Sequence, residues 1–408
     1  MAEQPGTADQ VLVRKLNTSL VLDCLRTRGP LSRAGLSAAT GLNRSTVSSV
    51  IHDLIEEKYV REIGLAPSDR GRPGMLLELS PDGGFAVGVE IGVDFICVTV
   101  TDFVAQVFWR KRVISDPEDP ESEIVERAQA LVQEALDEGR SQGLRPLGIG
   151  LGVPGLVDTQ KGRLVFAPNL QWRDVPLRKI WADRFRLPTF VENEANAAAL
   201  GEYYFGVARD VESLLYLSAG VGLGGGIIVD GKLFRGSGGY AGEFGHMTVD
   251  PGGELCGCGK RGFWETLVGP QAIVKRVERL LAGSADESHI LSLVDGDLSL
   301  VDVDIVVQAA DHGDRVARAA LQDVGIQLGI GIANLVNAFN PEMVVLGGAL
   351  SLASDYLLPD IEATAQEHAL AQPREGVQVV CAAHGADACV LGAVALVLDN
   401  ILREPVFQ

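Results

Sequence analysis

Apolar residues in the first part of the chain recur at helical spacing, and only near residue 60 does the period shorten to that of strands. In the run VRKLNTSLVLDCLRTRG (13–29) the apolar positions follow a 3.6-residue period, and Gly29-Pro30 ends it. Ser32 has the chemistry of an N-cap for a short helix through Ala39. Thr40-Gly41-Leu42 then reads as a turn, and Asn43 caps a third helix over 44–60. Val47, Ile51, Leu54 and Ile55 form its inward stripe, while Ser45, Ser48, Ser49 and His52 fall at i, i+3, i+4 and i+7 on the opposite face. Between Tyr59 and Leu79 the alternation predicts two strands around the loop APSDRGRPGM.

From Phe85 the texture changes. FAVGVEIGV, FICVTVTD and QVFWRKRVI predict successive strands, followed by an amphipathic helix over 120–142 and the buried strand LGIGLGVPG. A second helix over 177–186 leads to another strand, PTFVENEANA. The second half opens the same way, with SLLYLSAGVG and GGGIIVDGKLFRG, and ends in helices alternating with MVVLGG and VQVVCAA. Strands alternating with helices predict an α/β architecture. Two halves that begin alike predict a duplicated fold with a cleft between them. At 408 residues the chain is too long for one core, and the boundaries fall at 1–80, 81–195 and 196–408.

Charge decides where nucleic acid could bind. The formal net charge is −19, yet residues 1–80 hold ten Lys/Arg against nine Asp/Glu, or +1, which leaves −20 for the rest. An acidic body repels phosphate, so DNA contact belongs to the first eighty residues. Arg44, Ser45, Thr46, Ser48, Ser49 and His52 give the third helix a face suited to a major groove. Arg70 and Arg72 make the following loop a candidate wing for phosphates or a minor groove. The bland alternative is a helical hairpin for oligomerisation with a merely solvated polar face. The N-terminus MAEQPGTADQ lacks the basic start and apolar core of a signal peptide, and no apolar run suggests a membrane span. Of six cysteines only Cys256 and Cys258 lie close together, so the expected location is a reducing cytoplasm.

The densest chemistry lies in GEFGHMTVDPGGELCGCGKRGFWE, from Gly242 to Glu265. His246, Cys256 and Cys258 are zinc-ligand types, but structural zinc takes four ligands and the residue placed to complete the set, Phe263, is apolar. Zinc with water or a neighbouring carboxylate as fourth ligand is one reading. Two free thiols with Phe263 as a hydrophobic plug is the other.

Several runs together carry a family resemblance: Glu192-Asn193-Glu194-Ala195-Asn196, Gly242-Glu243-Phe244-Gly245-His246 and Cys256-Gly257-Cys258-Gly259. Gly152-Val153-Pro154-Gly155, Pro168-Asn169-Leu170 and Asn340-Pro341-Glu342 support them. The chain resembles the family of repressors, open-reading-frame proteins and sugar kinases (ROK) over nearly its whole length. With its appended head it is similar to the xylose- and N-acetylglucosamine-type repressors. The resemblance implies a winged helix-turn-helix followed by a two-lobed actin/hexokinase-like (ribonuclease H-like) body. It also implies a sugar site made by Asn169, Asn193, Glu194, Glu243, His246 and Glu265, with His246 able to face both sugar and metal.

Against the family's kinases, the phosphate turn Asp-x-Gly-x-Thr reads Glu90-Ile91-Gly92-Val93-Asp94 here, which sets a carboxylate toward an anionic ligand. Ser218-Ala219-Gly220 replaces a Gly-Thr-Gly-like turn, and Glu194 replaces the aspartate base. These departures predict sugar binding without phosphoryl transfer, no assigned catalytic residue and no use of ATP. The expected partners are operator DNA, a sugar effector and a second copy, as a homodimer or dimer of dimers. Two rivals stand beside this reading: an ATP-dependent hexose kinase with an appended DNA-binding domain, and a scaffold with a decayed cleft.

Overall fold

The computed structural model describes residues 10–65, 74–283 and 288–405. The head contains helices Gln10–Arg28, Arg33–Thr40 and Arg44–Glu56. Its antiparallel sheet runs in the order Leu31–Ser32, Met75–Leu79, Val60–Leu65. The caps are those the side chains dictate: Ser32 Oγ accepts from the Gly35 amide at 3.1 Å and Asn43 Oδ1 from the Thr46 amide at 2.8 Å. Gly41, at φ 73°, closes the second helix in the left-handed conformation.

The third helix stops four residues short of the predicted end. Lys58 takes a φ of 63°, and the Tyr59 amide reaches back to the Leu54 carbonyl at 2.9 Å. That closure turns the Tyr59 ring into the core and starts the strand at Val60. Val50 joins Val47, Ile51 and Leu54 in the buried stripe, and Ile55 is only half-buried. Arg44, Ser45, Ser48, Ser49 and His52 are exposed and Thr46 is half-buried, whereas Arg70 and Arg72 lie outside the described residues.

The body has two five-stranded sheets. The first runs Thr189–Asn193, Pro146–Val153, Phe85–Ile91, Phe95–Asp102, Val107–Ile114. The second runs Lys232–Leu233, Leu223–Val229, Leu214–Ala219, Met343–Gly348, Gln378–Cys381. The predicted strand over 188–197 ends at Asn193, because its side chain caps a helix, Glu194–Phe205. A small three-stranded sheet, Leu156–Asp158, Arg163–Ala167 and Trp172–Val175, fills a stretch that carried no prediction.

The helix Ala388–Arg403 joins these parts. One half lies against the first sheet at backbone distance: a Cβ on Gly150 would sit 1.9 Å from the Ala393 carbonyl oxygen. The same helix crosses Glu194–Phe205 so closely that a Cβ on Gly392 would sit 1.6 Å from the Ala197 oxygen. Its other half, with Leu398, Ile401 and Leu402, shares one hydrophobic cluster with Val21, Leu22, Leu25 and Tyr59 of the head.

Polar contacts reinforce that junction. Arg145 reaches the Glu57 carboxylate and carbonyl, each at 3.2 Å, and lies over the Tyr59 ring at 4.8 Å. Arg26 stacks on Tyr204 at 4.6 Å, and the Tyr204 hydroxyl donates to Asp399.

Two helices, Arg315–Phe339 and Gly385–Arg403, are long and apolar enough to cross a membrane, contrary to the expectation from sequence. Their apolar windows are 61% and 72% buried inside the protein, and both helices supply its cores.

Close backbone packing makes the joint intolerant of one added carbon. Gly392→Ala is expected to destabilise the chain by about 3 kcal/mol or to prevent folding. Urea unfolding measures this; an unchanged midpoint would refute the account of the joint.

Candidate functional site

The first wall of the cleft is built where two parallel strands end side by side, with Glu192 opposite Gly152 and Asn193 opposite Val153. Asn193 Oδ1 accepts from the Ala195 and Asn196 amides at 2.9 and 3.2 Å, and its Nδ2 donates to the Gly155 carbonyl at 2.9 Å. Its side chain therefore holds the site's shape. Glu194 follows as the first helical residue, partly open to the cleft, and burial pushes its carboxyl up to about 7.

Glu90 lies near it at the end of its strand. Its Oε2 is buried without a hydrogen-bond partner. Burial, and then the neighbouring Glu194, push its carboxyl up to about 8.

The second wall depends on Gly224-Gly225-Gly226. A Cβ on Gly225 would strike the Phe244 ring at 2.3 Å, and one on Gly226 would strike Ala199 at 2.6 Å. This bare strand lets the loop 242–246 and the helix from Glu194 close on it from either side. The short turn Phe244–His246 then presents Glu243, whose Oε2 lies 3.1 Å from His246 Nδ1. That contact, ahead of the opposing effect of burial, holds the imidazole above its ordinary pKa.

Glu265 comes from the other side, starting the helix Glu265–Val268. Its neighbour Trp264 anchors it: the indole Nε1 donates to the Gln327 carbonyl at 3.0 Å, and the ring fills the groove left by Gly331. Glu265 Oε2 accepts from the Leu223 amide at 3.4 Å and Oε1 lies 3.8 Å from His246 Nε2.

The ligand atoms of His246, Cys256 and Cys258 lie within 4.8 Å of one another, a donor set of zinc-binding type. The two sulfurs are 3.2 Å apart, and Cys256 Sγ is 2.8 Å from Glu265 Oε1. Burial, and then Glu265, push the Cys256 thiol up to about 12. Cys258 moves the other way: the Lys260 amide, Cys256 and His246 outweigh its partial burial and lower it. Phe263 is buried, with its ring set edge-on to His246 at 5.1 Å.

The sequence therefore named residues that do meet: Glu243, His246, Glu265, Cys256 and Cys258 form one contact group. Asn169 sits exposed in the turn after Arg163–Ala167, whose chain approaches Gly155 and hence Asn193. Two features escaped sequence reasoning. Arg235 of the second lobe reaches the fully buried Glu192 of the first at 2.7 Å, tying the lobes across the cleft. In the phosphate turn, the Gly92 amide donates to the Phe95 carbonyl at 2.9 Å, and Arg112 covers the Phe95 ring at 3.6 Å. The charged pair had a signal, an acid in an otherwise buried strand, but nothing in the sequence named its partner.

The ROK family model matches residues 86–400, and the IclR helix-turn-helix model matches residues 17–64. A putative xylose repressor from Caldicellulosiruptor sp. (strain Rt8B.4) is 36% identical over 97% of this chain and 99% of its own length. A glucokinase from Halalkalibacterium halodurans is 33% identical over 76% of this chain and 94% of its own. Among solved structures, a ROK family transcriptional regulator described as a homologue of the E. coli MLC protein superposes with a TM-score of 0.83. It is 27% identical and covers 96% of this chain and 98% of its own. The chain belongs to the ROK family, with an IclR-type helix-turn-helix ahead of the family's body.

Proposed function

We propose that the protein is a cytoplasmic, sugar-responsive DNA-binding transcriptional regulator, a repressor, whose kinase-like body binds a sugar without phosphorylating it. One observation carries the reading: a head with an exposed polar recognition face shares a hydrophobic core with a body that has a sugar-type cleft and an altered phosphate turn. In this reading residues 1–80 bind operator DNA, and the lobes 81–195 and 196–408 sense the sugar. Asn169, Asn193 and Glu194 contribute from one wall of the cleft, and Glu243, His246 and Glu265 from the other. Carboxylates accept from paired hydroxyls, while asparagine both donates and accepts. Zinc held by His246, Cys256 and Cys258 would fix the loop that carries His246.

Sugar drawing the lobes together would shift the helix Glu194–Phe205, which runs from the cleft to Tyr204 beneath the head. The ligand moves the DNA-binding equilibrium by its differential affinity for the two states. A two-fold operator calls for a homodimer or a dimer of dimers.

Phosphoryl transfer is disfavoured on chemical grounds. Asp94 stands where a phosphate turn offers a hydroxyl, and the longer Glu194 displaces the base. The rival reading, a hexose kinase with an appended head, draws on the glucokinase relative and on Glu194, which still has an acceptor in the cleft. A coupled ATP-consumption assay over a sugar panel separates the two: turnover of about 1–100 per second would establish the kinase.

Three outcomes are expected. In mobility-shift titrations with the upstream region of its own operon, one sugar of a pentose and hexose panel should weaken binding by roughly 5- to 150-fold. Failure to bind that duplex at moderate salt would sink the regulator reading. Arg44→Ala should weaken DNA binding by about 1–3 kcal/mol while leaving the sugar-induced rise in the unfolding midpoint intact. The third concerns pH. Glu90 and Glu194 keep protons in the folded chain up to about 8 and about 7, whereas the unfolded chain releases them near pH 4.5. Their contribution is complete below that lower value and is lost as pH rises through the window. Glu90→Gln should therefore flatten the decline and raise stability at pH 8 by about 1 kcal/mol or more relative to pH 5, read by urea unfolding at both pH values.

A further inference from the structure

The head meets the body along two edges of unlike construction. On one, Arg145 reaches the Glu57 carboxylate and carbonyl, each at 3.2 Å, and the Tyr59 ring meets the Arg145 guanidinium at 4.8 Å and the Phe103 ring at 5.0 Å. On the other, a cavity of about 280 Å³ lies between Leu25, Arg26 and Pro30 of the head and Val104, Tyr204 and Leu398 of the body. Beside the cavity the two sides touch through polar groups. Arg26 covers the Tyr204 ring at 4.6 Å, the Tyr204 hydroxyl donates to Asp399, and Arg403 Nε donates to the same carboxylate at 2.8 Å. We infer that Arg26, Tyr204 and Asp399 form a latch that holds the head in its DNA-binding placement, and that sugar in the cleft releases it, so that the head pivots about the Arg145–Tyr59 edge into the cavity. The inference rests on the sugar-responsive reading and gives that response its route.

Both body members of the latch stand at the far ends of helices that begin at the cleft. Tyr204 comes ten positions after Glu194 on one helix, about 15 Å along its axis. The helix Ala388–Arg403 starts with Cys389 beside Glu90 and carries Asp399 and Arg403. The two helices are locked backbone to backbone. A Cβ on Gly392 would sit 1.6 Å from the Ala197 oxygen, and one on Gly201 would sit 2.3 Å from the Ala388 oxygen. Close-packed elements pass a shift on rather than absorb it. A sugar that displaces Glu194 therefore moves Tyr204 and Asp399 together.

Arg26 does not travel with them. It is paired at 2.9 Å with Asp23 of its own helix, so its guanidinium belongs to the head. The contact it makes across the joint is a cation over a ring, which a small sideways shift weakens. The cavity supplies the room for the movement, since close-packed interiors leave few voids larger than a water molecule. With the latch closed, Arg44, Ser45, Ser48, Ser49 and His52 are exposed, and the recognition face is open to DNA.

The test titrates the full-length chain on the duplex upstream of its own operon, with and without each sugar of a pentose and hexose panel. Calorimetry without DNA measures sugar affinity in parallel. Tyr204→Phe keeps the ring beneath Arg26 and removes the hydroxyl. Without sugar it should bind the duplex about tenfold more weakly, the order of one hydrogen bond to a charged group. Linkage then requires that it bind the active sugar more tightly than wild type does. Val104→Phe, which fills the cavity, should keep wild-type DNA affinity even with sugar present and should bind the sugar more weakly. Unfolding midpoints close to wild type would show that both variants fold. A Tyr204→Phe chain that responds to sugar as wild type does would overturn the latch and leave the regulator reading standing. Weakened DNA binding with unchanged sugar affinity would mark a damaged head and would overturn it equally. A wild-type chain whose DNA affinity no sugar alters would overturn the latch together with the sugar-responsive reading.

Discussion

The structure depends on the close approach of one helix, Ala388–Arg403, to backbone on two sides. The Ala393 carbonyl rests against Gly150 of the first sheet, and Gly392 rests against the Ala197 carbonyl of the helix that begins at Glu194. Contacts between backbones have no flexible side chains to absorb a shift, and close-packed interiors pass displacement on. The far half of the same helix carries Leu398, Ile401 and Leu402 into the core of the head. Sheet, cleft helix and winged helix are thus held by one element that none can move past freely. The helix Ala388–Arg403 thus completes a unit whose first strand, Phe85–Ile91, lies about three hundred residues earlier in the chain.

The cleft is governed by crowded carboxyl groups. Glu90, buried, and Glu194, partly open to the cleft, lie together, and both are held well above the ordinary glutamate range. Glu192, fully buried, is instead matched by Arg235 from across the cleft. On the opposite wall the bare strand Gly224-Gly225-Gly226 brings Phe244 and the 242–246 loop close enough for Glu243, His246 and Glu265 to meet.

Much of this was legible in the sequence, and the failures have physical causes. Ser32 and Asn43 cap the helices they were expected to cap, because an N-cap is a local bond between a side chain and an amide three residues on. The third helix was read too long because EEKYV continues a helical pattern. Burying Tyr59 required a left-handed turn at Lys58, and tertiary packing overrode local preference. The strand over 188–197 was overextended because the Asn193 side chain caps the helix that begins at Glu194, a bond that ends the strand. The apolar helices Arg315–Phe339 and Gly385–Arg403 look membrane-like by composition, and only the cores around them explain the composition.

By itself the sequence determined the helical head, the alternation of strands and helices in most of the body, the contrast between a slightly basic head and an acidic body, and the clustering of acids, histidine and cysteines between Gly242 and Glu265. Period, capping chemistry and charge are properties of neighbouring residues, so they can be read without a fold. Tertiary structure alone decided which of those groups meet. It set Arg235 on Glu192 and Arg112 over Phe95, it brought Glu265 to Cys256, and it joined the head to the final helix. Arg235–Glu192 and the joint between head and final helix span long stretches of chain, whereas Arg112–Phe95 lies within one hairpin and Cys256–Glu265 within one segment. Their distances are set by how sheets and helices pack, which no local pattern specifies.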